Sequence, residues 1–120
     1  MESILTSIKK LLGVEEEYEQ FDADIIIYIN SVFMILNQLG VGPSEGFSIS
    51  DKSSVWEDFT KDPKLLEAVK TYAYLKVRLL FDPPINSSVT ESIKEQLKEL
   101  QCRMLIQVEY ANKKGGMNDE

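Results

Sequence analysis

The side chains that most often do chemistry are sparse in this chain and poorly spaced for it. No histidine occurs among its 120 residues, which removes the commonest general base, the Ser-His-Asp and Cys-His arrangements and most zinc sites together. Cys102 is the single cysteine. It stands mid-helix beside Arg103 with no base to activate it, and reads as a small hydrophobe rather than a nucleophile. Asp22 and Asp24 could open a calcium loop, but the turn glycine and closing glutamate such a loop needs do not follow at the required spacing. Gly40 and Gly42 begin a G-x-G pattern. Glu45 then occupies the third glycine's place, no strand precedes the run and no lysine follows it, so the stretch reads as plain loop. Glu91, Glu95 and Glu99 recur at i+4, yet Lys94 and Lys98 lie three beyond the first two and can neutralise them pairwise, as on a solvated face. No carboxylic acid is placed to be held neutral opposite an ionised one. No catalytic residue, metal ligand or cofactor is expected, and an enzyme ranks behind the readings below.

Composition narrows the class further. A chain of this length makes one domain with one core. With 43% hydrophobic and 28% charged residues it should fold as an ordinary globular protein. Thirteen basic residues against 20 acidic ones leave a net charge of −7, which disfavours tight binding to free duplex, where affinity comes from neutralising phosphates. One cysteine cannot form an internal disulfide and no signal-peptide pattern opens the chain, so a reducing cytosol is the expected setting. The apolar run IIIYINSVFMILNQL, residues 25–39, is interrupted by Asn30 and Ser31 and ends on Asn37 and Gln38. It is too short and too broken to span a bilayer, and no membrane association is expected.

The elements that carry these residues follow from periodicity and punctuation. Ile4, Leu5, Ile8, Leu11 and Leu12 form one stripe of a short helix that Gly13 closes, and that helix is expected to pack on its own domain. An acidic connector leads to Asp22, placed to cap a second helix running from about Asp24 to Leu39. The GVGPSEG loop stops it, and from Gly40 to Asp51 the chain has few apolar anchors and is expected to be mobile in a free subunit. Val55, Trp56 and Phe59 share one side of a helical turn or two, with Trp56 as a core lid whose N–H finds one partner. Asp62-Pro63 starts a third long helix, ended by DPP after Phe81. Ser88 and Glu91 make a capping box for a last helix reaching about Tyr110. Residues 1–112 are therefore expected as one mainly α domain, a small bundle of four to five helices with a Gly/Pro-containing loop after the second, and 113–120 as a flexible polar tail.

Each long helix is apolar on two sides. In the second, Ile25, Ile29, Val32, Leu36 and Leu39 make a core stripe, while Ile27 and Met34 stand one heptad apart among polar residues on the opposite face. In the third, Leu65, Val69, Tyr72, Leu79 and Leu80 face the core and Tyr74 and Phe81 project from the other side among charges, a composition typical of interfaces. Lys76 falls within that core stripe, either as a stem packed on apolar neighbours or as half of an ion pair across a subunit boundary. In the last helix Val89, Ile93, Leu97, Leu100, Met104 and Val108 form the core stripe, and Cys102, Leu105 and Ile106 a second patch. A protein built to pack against other chains is expected, with Ile27, Met34, Tyr74, Phe81, Cys102, Leu105 and Ile106 at its subunit interfaces.

The ordered segments LLGVEEEYEQFDADIIIYINSVFMILNQLGVGP, WEDF, LEAVKTYAYLKVRLLFDPP and SIKEQLKELQCRMLIQVEY resemble, over nearly the whole chain, the head-tail connector (adaptor or head-completion) proteins of long-tailed phages and prophages of Gram-positive bacteria. The resemblance implies a structural helical subunit made in the host cytoplasm. It would form a homo-oligomeric ring, commonly twelve-fold, at the head-tail junction of the virion. The ring would lie between the portal protein and a stopper or tail-completion protein, with DNA passing through its lumen without tight binding. It supplies no catalytic residues. The alternative is a small helical regulatory or interaction module that binds a single host or phage protein, for which one patch would suffice.

Overall fold

The computed structural model of the chain describes residues 2–118, with side chains through Lys113. Five helices follow one another: α1 (Ile4–Leu12), α2 (Asp22–Gln38), α3 (Trp56–Phe59), α4 (Pro63–Phe81) and α5 (Ser87–Asn118). Among the described residues the only β pairing is an isolated bridge between Ser3 and Val55, so the protein is the mainly helical bundle its periodicity predicts.

Its centre is α4, against which α1, α2 and α5 all pack. Leu65, Leu66, Val69, Tyr72, Ala73, Leu75 and Val77 are buried over much of the circumference of α4, as a helix with neighbours on several sides requires. From α2 come Ile25, Ile29, Val32, Phe33 and Leu36; from α1, Ile4, Leu5 and Ile8; from α5, Ile93, Leu97 and Met104. The helix α1 therefore packs on its own domain as expected. Trp56 is buried and its Nε1 donates to Ser7 Oγ at 2.8 Å, the single partner predicted for it.

Most punctuation signals act where the sequence places them. Gly13, at φ +81°, closes α1 with its N–H and that of Val14 returned to the carbonyls of Lys10 and Lys9. Asp62 Oδ1 accepts from the N–H groups of Lys64 and Leu65 at 3.0 and 3.4 Å, with Pro63 first in α4. Two caps differ. Asp22 is the first residue of α2, the residue before it makes no side-chain cap, and the carboxylate turns instead to Lys9, 2.8 Å away. At α5 the capping side chain is Asn86, whose Oδ1 accepts from Ser88 N at 2.8 Å. Ser88 thus lies inside the helix rather than at its cap, because Asn86 offers the same short-range acceptor two residues earlier.

Three further expectations are corrected. Leu80 and Val89 are exposed; both adjoin the connection at 82–86, at the margin of the bundle. The loop after α2 has more apolar and polar anchors than its sequence suggests. Val41 and Ile49 are buried, and the Phe47 ring meets Phe33 and Phe59 at 4.9 and 5.4 Å. Asn30 exchanges two hydrogen bonds with the backbone of Ile49, at 2.9 and 2.8 Å, and Asn37 donates to Pro43 O at 3.1 Å. Asn30 and Asn37, which look like solvent-facing residues, are half-buried clamps for this loop. Finally, α5 continues beyond Tyr110 to Asn118, since a helix once formed gains a bond for each residue added. Of the tail expected at 113–120, residues 119 and 120 and the side chains from 114 onward lie outside the described residues.

Candidate functional site

The charged groups of α5 sit as a solvated face requires. Lys94 and Lys98 lie 3.7 and 3.8 Å from Glu91 and Glu95. Arg103 gives two hydrogen bonds to Glu99, at 2.8 and 3.2 Å, and the neighbouring Cys102 is exposed. That Glu99 carboxylate pushes the Arg103 guanidinium pKa up. Among the described residues no group of three histidine, cysteine or carboxylate side chains could hold a metal. Gly42, at φ +93°, adjoins the Phe59 ring, so its lack of a side chain serves packing and turn geometry.

The exposed surfaces carry most of the remaining sequence-predicted residues. Ile27 and Met34 are 63% and 58% exposed on the outward face of α2, opposite the fully buried Ile25, Ile29 and Leu36. The loop clamped by Asn30 and Asn37 covers one flank of this face and leaves these two side chains outside. On α5, Ile106 is 60% and Leu105 41% exposed, and Cys102 is exposed one turn earlier. Tyr110, also exposed, extends the patch at i+4 from Ile106 and is absent from the expected interface residues. Because α4 is the helix on which both α2 and α5 pack, the two patches lie on separate outer helices.

Tyr74 and Phe81 are placed differently. Both are half-buried against their own core. The Phe81 ring meets Phe21 edge-on at 5.3 Å, and Phe21 meets Tyr18 at 5.4 Å. Tyr74, with Leu11 and Leu12 of α1, borders a depression completed by Arg78 and Asp82. The second apolar side of α4 is thus partly covered by α1 and the connector that follows it. Lys76 is half-buried, and no carboxylate lies within ion-pairing reach of it among the described residues. Leu11 and Ile85 are exposed as well, Ile85 directly after the double proline.

Two features escaped sequence reasoning. The first is Lys9, only 2% exposed. Its Nζ donates to the carbonyls of Glu16 and Tyr18 at 2.9 and 2.7 Å and pairs with Asp22, folding the acidic connector back onto α1. Its one signal is a lysine near a helix end followed by a run of carboxylates. The second is a shallow groove between α4 and α5. Ala68, Leu100 and Ile106 line it, Lys64, Glu67 and Arg103 supply its charges, and Thr71 and Gln107 complete it.

A family model described as "Phage connector protein" matches residues 4–111. No curated protein and no solved structure matches the chain.

Proposed function

The chain belongs to the phage connector protein family, a family of structural proteins, and from that premise we propose that it is a ring subunit joining the portal of the DNA-filled head to the stopper or tail. The observation that carries this reading is the pair of apolar patches, Ile27 with Met34 on α2 and Leu105 with Ile106 on α5, exposed on two outer helices of one subunit. A ring requires two unlike lateral faces on every copy, whereas a module gripping one protein needs a single patch. The net charge of −7 suits a lumen through which DNA slides without sticking. Among the described residues no helix is long and apolar enough to cross a membrane.

The test is to replace Ile27 and Met34 together with Glu and to follow both stability and assembly onto the cognate portal protein by sedimentation. Surface substitutions usually cost about 0.5 kcal/mol or less, so the double variant should unfold close to the parent's temperature. Assembly should be lost, because two carboxylates forced into a dry contact each carry a desolvation penalty. Ile29→Glu, at a fully buried position, is the control that damages folding itself. A double variant that assembles as well as the parent removes α2 from the contact; one that unfolds like the control makes both sides of α2 interior.

A further inference from the structure

We propose, resting on the ring reading, that the lateral contact is made by α2 of one copy seated in the α4–α5 groove of the next, with Ile27 and Met34 against the apolar surface around Ile106. The two surfaces match in form. Ile27 and Met34 are two helical turns apart, a ridge about 10 Å long at 1.5 Å per residue, and the groove bordered by Ala68, Leu100 and Ile106 lies between two roughly side-by-side helices, the shape into which a ridge packs.

They also match in charge. Every charged side chain from Leu11 to Asp51 is a carboxylate. Of these only Asp22 has a lysine within ion-pairing distance among the described residues. The α2 side is therefore an acidic surface with an apolar ridge. Lys64 and Arg103 stand beside the groove, with Glu67 as the one carboxylate that lines it. Arg103 is shared with Glu99, while Lys64 has no ion-pair partner among the described residues. Pairing α2 with α2 would bring two acid-only surfaces together, which like-charge repulsion opposes. Pairing α5 with α5 would leave Ile27 and Met34 uncovered. Only the head-to-tail arrangement covers Ile27, Met34 and Ile106 on every copy, and its repetition is what closes a ring.

The test uses the full chain assembled on its portal, in a Cys102→Ala background with Met34→Cys and Ile106→Cys added, treated with a short bismaleimide. The expected result is a ladder of covalent multimers from the double variant and none from either single variant. If that pair itself blocks assembly, Gln38→Cys with Thr71→Cys places the thiols beside the same contact, and the ladder is again expected. Rings that form without a ladder from either pair overturn this contact and leave the ring reading standing. The unaltered chain is assembled alongside, and if it forms no ring on the portal, the ring reading fails and this contact fails with it.

Discussion

Lys9 is the charged residue on which the local structure depends most visibly. An ammonium has three donors and no acceptor; here two of them are given to the Glu16 and Tyr18 carbonyls, and the Asp22 carboxylate lies in ion-pair contact at 2.8 Å without a well-aligned hydrogen bond. Replacing Lys9 with Met keeps the stem but leaves three acceptors near the core unpaired. The expected loss is about 3 kcal/mol, seen as a fall of roughly 10 °C in the thermal midpoint for a domain of this size. A fall of only a degree or two would mean that water serves these acceptors as well as the lysine does. Gly42 makes a second residue-scale prediction. Both Gly42 and Gly46 have positive φ, at +93° and +92°, but a Cβ at Gly42 overlaps the Phe59 ring whereas one at Gly46 meets open space. Gly46→Ala should cost about 1 kcal/mol, from backbone strain alone. Gly42→Ala should cost about 1–3 kcal/mol more, because Phe59 must leave its stack on Phe33. Equal midpoints for the two variants would refute the packing role.

Between elements, polar clasps join segments that are distant in sequence. Gln107 of α5 donates to Asp62 Oδ2 at 3.0 Å, tying the start of α4 to α5. That hydrogen bond, more than those from the Leu65 and Lys64 N–H groups, holds the Asp62 carboxyl below its ordinary range. A carboxyl depressed in the folded state binds fewer protons there than in the unfolded chain. Its contribution to stability is therefore complete above the ordinary carboxylate value near pH 4 and is lost as pH falls through the lowered one. Asp62→Asn retains a capping oxygen but not the charge. It should be less stable than the parent at pH 7 by about 0.5 kcal/mol, a small figure because solvent reaches the site. Chemical denaturation repeated at about pH 3 should narrow that gap. A difference that does not vary with pH would assign the effect to shape alone.

As a whole the molecule is a slab of 51 × 35 × 21 Å. The thickness is about that of two helical layers, and at 1.5 Å per residue α5 alone runs about 48 Å, close to the longest dimension. A thin subunit with a long edge helix offers broad lateral faces relative to its volume, which suits neighbours on two sides. The cations of α5 do not form a free basic stripe: Lys94, Lys98, Arg103 and Lys113 are each engaged by a carboxylate on the same helix, and 20 acidic residues outnumber the 13 basic ones. At physiological salt the purified protein should bind duplex DNA no more tightly than about micromolar, the range of non-specific contacts. Fluorescence anisotropy with a labelled duplex measures this, and a much tighter constant would overturn the freely sliding lumen.

By itself the sequence determined the helical class, most helix limits and the inner stripes, because these depend on angles around one helix axis and on residues a few positions apart. Gly13, Asp62-Pro63 and the double proline act within one turn of the chain, and the buried face of α2 follows from spacing alone. The order of its segments also carried the likeness to phage connectors. Tertiary structure alone decided which second apolar sides stay outside. Ile27 and Tyr74 have the same signature, an apolar side chain opposite a core stripe. Yet α1 lies over the face that carries Tyr74, while the loop pinned by Asn30 and Asn37 leaves Ile27 and Met34 uncovered. Whether an angle is covered depends on segments brought together from far apart, as Ser7 with Trp56 and Asp62 with Gln107 are. Periodicity measures direction from one axis and contains no information about what arrives from elsewhere, so neither the groove between α4 and α5 nor the burial of Lys9 could be read before the chain was folded.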